Sequence, residues 1–413
     1  MKANNIVLPD VRELTTKFQG IKLLEKLKLV SKSSTGVYCI LPLGAIILSH
    51  IEAVIRKKFD AFGCYEVRFP TLMTENIWKK SLRWNSFSSL YKVRDRLIKN
   101  YCLNPTHEEA AVEAMSNIFQ SHKDFPITLY CINKVYRDED RPKFGLLRSK
   151  EFIMADSYSF TIDDESLVKD YFQLVEIHRS IFQVLGINCL ETNADNGDIG
   201  GSSSVEFIFP HIDGESSLEG CEVCNIWTSK INFQRVTTCE FCANNLVKRK
   251  GIELAHVFKL DQTYTKTMKL KTLTSNNKFE YIHMNCSGIG VTRLLQAIVE
   301  HTFTTHGKIV PYIVAPFDIF VYTKKGIENN RARLRAIYEK LSAEGLKTLM
   351  DDRIVTETPK RTLASILGCK VMIDVGDSIS KVRIGSEEFE VLDSDILQFV
   401  KQLINNNQSS VIL

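Results

Sequence analysis

Arg137, Glu139, Arg148 and Phe152 fall within one stretch of mixed character, YCINKVYRDEDRPKFGLLRSKEFIMADSYSF over residues 130–160. The apolar run 129–135 reads as a buried strand, 138–150 as a charged loop containing Pro and Gly, and 152–155 as the returning strand. Arg137 and Glu139 are two residues apart at the end of the first strand, so strand periodicity puts both on one face. Arg148 and the Glu151–Phe152 pair stand across the loop. Such a hairpin suits a nucleotide. A guanidinium holds a phosphate with fixed donors, a carboxylate accepts from the adenine amino group, and Phe152 stacks on the base. The same residues also fit an ordinary surface hairpin whose charges are solvated.

A second group lies at Leu103-Asn104-Pro105-Thr106-His107-Glu108-Glu109, ahead of a helical run that continues through Met115. Pro105 suits the entry to that helix. Thr106 can cap it, with Glu109 at the spacing of a capping box. Alternatively, Thr106 and Glu108 face a small ligand with an ammonium group, for which a carboxylate is the natural partner. Cys221/Cys224 and Cys239/Cys242 form two CxxC knuckles, which suit one Zn²⁺ held by four thiolates. Four cysteines without a metal are the competing reading. The other cysteines among the eleven are scattered, as reduced thiols are. His256, on an alternating run at 254–260, reads as a core or edge histidine. A strand at 281–286 runs through Ser287-Gly288-Ile289-Gly290 into a helix ending near Glu300. A lone GxG is weak, but Arg293 near that helix start can reach a terminal phosphate.

These groups need elements to place them. The pattern predicts a helix over 45–62, a short strand over 65–69 stopped by Pro70, a helix near 74–81 and a hairpin over 90–99. A long amphipathic helix is expected over 163–185, capped by Asp163 or Asp164 and stopped by Gly186, and a strand over 205–210. After a Pro-bounded linker at 311–316 the pattern changes. Strands at 317–322, 347–350, 371–375 and 380–384 alternate with helices at 330–344, 359–366 and 395–404. That makes a small α/β domain with a mostly parallel sheet. The whole chain has 413 residues, 44% hydrophobic and 25% charged, which is ordinary composition for two or three domains. Its formal net charge of +4 permits a nucleic-acid partner without demanding one. With no run of about 18 apolar residues, no membrane span is expected. The N-terminal residues show no apolar signal-peptide core.

Taken in order, the segments resemble a known family. RDE, a loop and EF resemble motif 2 of the class II aminoacyl-tRNA synthetases; the helix and strand ending at Pro70 resemble motif 1, and GIGVTRLL resembles motif 3. NPTHEE at 104–109, RPKFGLLRSKEFIMADSYSF at 141–160 and APFDIFV at 315–321 are similar to the bacterial-type prolyl-tRNA synthetases, and DDR at 351–353 resembles their anticodon-binding domain. The resemblance covers about residues 30–400. It implies an α+β catalytic domain over 1–310, with an antiparallel sheet flanked by helices, an α/β anticodon-binding domain over 311–413, and a homodimer built through motif 1. It also implies ATP, Mg²⁺, proline and tRNA(Pro) as ligands. By resemblance, Arg137 binds the α-phosphate and the amino-acid carboxylate, Glu139 and Phe152 hold adenine, Arg148 contacts the phosphates and Arg293 holds the γ-phosphate. The implied proline pocket is Thr106, Glu108, Met154, Asp156, Tyr158, His256 and Cys286, with Arg137 on the carboxylate and Glu108 on the secondary ammonium.

The chain also departs from the family pattern. A large insertion that hydrolyses Ala-tRNA usually separates motifs 2 and 3; here only the short Cys-rich segment 215–250 fills that place, so no editing in cis is expected. A proline pocket cannot reject alanine strongly, since each missing methylene is worth only about 1–3 kcal/mol. Asn104 and Asp261 stand where the family usually has Gly, and Ser287 replaces an aromatic beside Cys286. The segment after DDR, IVTETPKRTLASILG, lacks much of the usual pattern. A compact, drifted, bacterial-type chain points to the mitochondrial matrix, with a bacterial cytoplasm as the alternative. A synthetase-like protein that binds RNA or a polymerase without catalysis is the rival from another class, and it would be expected to lose the ATP arginines. The same fold serving threonine or histidine is a further rival, opposed by the THEE stretch and the apolar Met154.

Overall fold

Alternation along the strand Glu151–Thr161 divides the molecule into a helical side and a site side. The computed structural model describes residues 1–413 except 12–13, 15–18, 120, 213, 229–236, 275–276, 325–326 and 407–413. Among the described residues the main sheet has nine strands. Their order is Ser203–Pro210, Leu190–Asn193, Ile226–Thr228, Ser216–Cys221, Val247–Asp261, His283–Gly290, Glu151–Thr161, Ile127–Tyr136 and Tyr65–Glu66, with Ser203–Pro210 also paired to Val247–Asp261. Pairing through the centre is antiparallel; the edge strand Tyr65–Glu66 runs parallel to its neighbour.

Register explains the two faces. Phe207, Ala255, Ile289 and Ala155 stand opposite one another across four strands, and all four belong to the main apolar core. The helices Pro42–Ala61, Asp164–Val184 and Val291–His306 cover this face. One residue along, the row reads Glu206, His256, Gly288, Asp156, Cys131. This polar row faces away from the helices, and a cavity opens above it.

The long helices follow the expected boundaries, with Asp163 capping its helix by accepting from Ser166 N at 2.7 Å. Other elements differ. The strand expected at 65–69 stops at Glu66, the last ladder bond being Val67 N to Tyr130 O at 2.8 Å. The hairpin expected over 90–99 pairs Tyr91–Arg94 with Asn100–Leu103. Ser287 to Gly290 is not a turn but the end of the strand His283–Gly290, and the helix starts at Val291. A Cβ on Gly288 would come within 3.3 Å of Met154 Sδ, so the glycine leaves room under the cavity.

The C-terminal sheet is mixed rather than mostly parallel. Thr348–Met350, Ile319–Tyr322 and Val371–Asp374 are parallel, then Ile379–Ile384 and Glu387–Leu392 continue antiparallel. The last of these strands was not expected, because four of its six residues are exposed and three are glutamates. The chain's first residues dock on this unit: Met350 N donates to Met1 O at 2.9 Å, and Asn4 N to Asp352 Oδ1 at 3.0 Å. The segment expected to belong to the first domain therefore reaches the second.

Gly44 marks the tightest approach of the helix Pro42–Ala61 to the preceding loop. A Cβ there would sit 2.3 Å from the Leu29 carbonyl oxygen, which already accepts from Leu41 N. Gly44→Ala should therefore destabilise the fold by about 1–3 kcal/mol, read as a lower denaturation midpoint with unchanged slope.

Candidate active site

The polar row forms the floor of a cavity of about 370 Å³. Thr106, Glu108, Arg137, Glu139, Phe152, Met154, Asp156, His256, Cys286 and Arg293 all line it. These residues come from segments up to nearly two hundred positions apart, and the sheet brings them together. Arg148 lines an adjoining space of about 180 Å³ that shares Arg137, Glu139 and Arg293 with the first. Tyr158 does not reach the cavity. It is fully buried behind the wall, where its hydroxyl donates to Asp156 Oδ2 at 2.5 Å and accepts from His107 N at 2.7 Å. Its expected contact with a ligand is thus replaced by a role in orienting Asp156.

Arg137 lies one residue beyond the strand Ile127–Tyr136, so strand periodicity does not place it beside Glu139. Its backbone continues the pairing, donating to Lys150 O at 2.9 Å. The guanidinium sits 5.4 Å from the Phe152 ring centroid, and its buried Nε has no partner. An orphaned cationic donor beside an aromatic face is what an anion carried on a flat base requires. Burial, then the nearby Arg293, lowers its pKa from the usual guanidinium value. An anion would relieve both effects. Glu139 accepts from Arg148 Nε at 2.8 Å, and Arg148 also reaches Glu215 at 2.8 Å. Arg293 donates to the Glu253 carbonyl and stands 4.0 Å from its carboxylate.

At the other end, Thr106 does not cap the helix Glu108–Ile118; the N-cap is His107, without a side-chain cap bond. Thr106 Oγ1 instead donates to Glu108 Oε1 at 2.9 Å, and Glu109 accepts from Ser81 and Arg83. The capping-box alternative is therefore excluded. His107 Nδ1 lies 2.8 Å from Asp156 Oδ2; burial opposes its charge, but the Asp156 carboxylate outweighs this and raises its pKa. Cys286 has its thiol pushed well up by burial, then by the Glu108 charge. Asn104 fills the space of the expected Gly usefully: its amide accepts from Trp78 Nε1 at 3.3 Å and donates to Pro70 O at 2.9 Å. Asp261 takes the left-handed backbone (φ 54°) that suits a Gly. Ser287 meets Ser157 Oγ at 2.6 Å.

Sequence reading missed Glu206 and Glu253, which gather around His256 with Nδ1–oxygen distances of 3.7 and 3.5 Å. The strand Val247–Asp261 is longer than its alternating run suggested, and Glu253 lies in the missed part. The loop 195–199 also lines the cavity, tied across to Ser88 by Asp198 Oδ2, 3.0 Å from Ser88 Oγ. Away from the cavity, the four CxxC sulfurs lie within 4.8 Å of one another, with Cys221–Cys242 at 3.4 Å and Cys224–Cys239 at 3.8 Å. Tetrahedral Zn–S bonds of about 2.3 Å give S–S separations of about 3.8 Å, so the residues fit the metal. Residues 229–236 of the Cys-rich segment lie outside the described residues.

An antiparallel sheet with helices on one face, and an arginine-lined cavity on the other, define a class II aminoacyl-tRNA synthetase core. The family model for the class II core domain (G, H, P, S and T) matches residues 91–302. Proline–tRNA ligase of Anaplasma phagocytophilum is 32% identical over 86% of this chain and 86% of its own. That of Ehrlichia ruminantium is 29% identical over 99% and 100%. The crystal structure of Cryptosporidium parvum prolyl-tRNA synthetase with L-proline and AMP superposes with a TM-score of 0.68, covering 94% of this chain and 78% of that one, at 15% identity. The same enzyme with halofuginone and AMPPNP gives 0.69 over 94% and 75%. The chain belongs to the proline–tRNA ligase family.

Glu206 carries a pH signature. Burial, then the neighbouring Glu253 charge, raises its carboxyl from 4.5 to about 7. A folded-state pKa above the unfolded one means the folded protein holds the proton more tightly. Stability is then lost as pH rises from about 4.5 through about 7. Without magnesium, Glu206→Gln should gain on the wild type over that window by on the order of 2–3 kcal/mol, read from melting curves at a series of pH values. A constant difference between the two proteins would contradict the assignment.

Proposed function

We propose that this chain joins proline and ATP into prolyl adenylate, releasing pyrophosphate, and then passes the prolyl group to the terminal adenosine of tRNA(Pro), releasing AMP. The observation that carries this reading is the pairing, in one cavity, of Arg137, with its orphaned Nε, and Glu108, a buried carboxylate held by Thr106. The proline carboxylate is already a nucleophile, so adenylation requires no general base. It needs in-line approach to the α-phosphorus and neutralisation of charge. Arg137 would bridge the α-phosphate and the amino-acid carboxylate, with adenine on Phe152 and its amino group towards Glu139. Arg148 and Arg293 would take the outer phosphates. The proline end is Thr106, Glu108, Met154, Asp156, His256 and Cys286, with Tyr158 acting from behind Asp156. The Cryptosporidium parvum enzyme crystallised with AMPPNP, and with L-proline and AMP, supports both ligands. In the second step a ribose hydroxyl attacks the adenylate. The rival of a non-catalytic binding protein is disfavoured because Arg137, Glu139 and Arg293 converge on one cavity.

Mg²⁺ is a hard cation that takes carboxylate oxygens, and Glu206 and Glu253 supply them beside Arg293. Bound there, the ion would offset polyphosphate charge. The four cysteines would hold a structural Zn²⁺, consistent with their sulfur spacing. Residues 311–413 would form the anticodon-binding domain, built on a core cluster of Ile319, Val321, Val371 and Ile373, while Phe320, Tyr322 and Leu349 pack into the main core. A homodimer through the motif 1 side is supported by an apolar groove of about 360 Å³ at Phe69, Pro70, Met115 and Phe119, near exposed Tyr65 and Ile118. The drifted, compact chain supports a mitochondrial matrix location, with a bacterial cytoplasm as the alternative; cell fractionation separates the two.

Three outcomes test this reading. Proline should drive ATP–pyrophosphate exchange, alanine more weakly, and threonine and histidine not at all; Arg137→Ala should lower the proline rate about 100-fold or more. No exchange with any amino acid would overturn the reading. The isolated protein should leave Ala-tRNA intact, and hydrolysis would contradict the absence of editing in cis. Protein purified without chelator should carry about one zinc per chain, lost in Cys239→Ser/Cys242→Ser; a metal-free wild type would remove the zinc site.

A further inference from the structure

Beneath the proline end lies a charge arrangement that no ligand contact explains. Arg83 is only 7% exposed. Its guanidinium sits 4.8 Å from the ring centroid of Phe87, 5.1 Å from Trp78 and 5.2 Å from Tyr264. One nitrogen, Nη1, makes all its hydrogen bonds: 3.1 Å to Glu108 Oε2, and 3.1 and 3.3 Å to the two oxygens of Glu109. Its Nε and Nη2 have no partner. Glu108 lines the cavity, whereas Glu109 is fully buried behind it and accepts from Ser81 Oγ at 2.7 Å.

We propose that Arg83 is a positioning residue for amino-acid recognition, which aims the Glu108 carboxylate at the ligand's ammonium group by bridging it to Glu109. This rests on the reading of Glu108 as the ammonium acceptor. Two carboxylates on successive residues, both shielded from water, repel each other, and each favours the proton over the charge. Burial pushes the Glu109 carboxyl up, with Arg83 pulling it back and Glu108 adding to the rise. Without the guanidinium, nothing would hold the two carboxylates against their mutual repulsion, and Glu108 would leave the direction in which it can meet an amine. The three rings fix where the guanidinium lies, because a cation is held over aromatic faces. Thr106 secures the other oxygen of Glu108, so its carboxylate has a fixed direction. A lysine keeps the charge but is a point donor on a different reach, and would serve one carboxylate better than two.

The test measures KM for proline and for ATP separately, by pyrophosphate exchange, with a melting curve for each variant. Arg83→Met should raise the proline KM about 30-fold or more and leave the ATP KM within about twofold. The double variant Arg83→Met/Glu109→Gln should recover most of the proline affinity, because it removes the carboxylate that repels Glu108 and leaves Glu108 free to face the ligand. A merely structural role predicts no such rescue. A folded Arg83→Met with unchanged proline KM, equal shifts in both KM values, or no rescue in the double variant would overturn the inference. Should Arg83→Met not fold, Arg83→Lys decides: a proline KM raised about fivefold or more with ATP unaffected supports it, and an unchanged proline KM sinks it. Glu108→Gln separates the two levels of argument. If it leaves the proline KM unchanged, the ammonium site itself is misassigned. If it raises the proline KM while Arg83→Met does not, only the role of Arg83 fails.

Discussion

Two neighbouring carboxylates are shut away from water at one end of the cavity, and much of the surrounding structure follows from that constraint. Glu108 and Glu109 open a helix with 2% and 1% exposure. Burying such groups is costly unless each finds a cation or donors. Arg83, Thr106 and Ser81 meet that need. The need in turn fixes the segment between the helix Glu75–Lys80 and the strand Tyr91–Arg94, where Trp78 of that helix and Phe87 hold Arg83 in place. Asn104 then ties Trp78 to the Pro70 carbonyl, so the motif 1 end and the amino-acid pocket share one network.

The main sheet separates the remaining tasks by side. One face is a close-packed apolar surface under three helices, which makes the platform rigid. The other carries the row from Glu206 to Cys131, with Gly288 at its centre leaving room above. Cationic groups collect at the end where polyphosphate would lie, and anionic ones where an ammonium and a metal ion would lie. Asp156 joins the two layers of the pocket: it takes bonds from His107, Tyr158 and Cys131 and still reaches the cavity. Preorganised groups of this kind favour reaction because they need no rearrangement as charge develops.

What could be read from the sequence was local. Arg137, Glu139, Arg148 and Phe152 sit in one hairpin, Thr106 and Glu108 at one helix start, and the four cysteines in two short knuckles, so residue type and spacing exposed them. Arg83 was not legible, because its segment has no periodic pattern and its carboxylate partners lie at least 25 residues away. Glu206 joins His256 only through the register of two strands. Thr106 looked like a cap because Glu109 had the right spacing, but a buried arginine competes better for a buried carboxylate than a backbone amide does. Tyr158 belongs to the correct strand face, yet its hydroxyl is consumed by Asp156 before a ligand can meet it. In the C-terminal unit, glutamates concealed the edge strand Glu387–Leu392, since charge there protects an edge rather than marking a loop.

The most direct test of this account compares proline with tetrahydrofuran-2-carboxylate, which keeps the ring and carboxylate and replaces the ammonium by an ether oxygen. Calorimetric titration of each into the wild-type protein reads the contribution of the ammonium alone. If the Glu108 carboxylate governs recognition, proline binds and the oxygen analogue is weaker by about 100-fold or more, because the buried carboxylate then loses its ligand cation. Binding of the two within about threefold of each other would mean that shape and the carboxylate decide recognition, and that the buried charge is not what the site is built around.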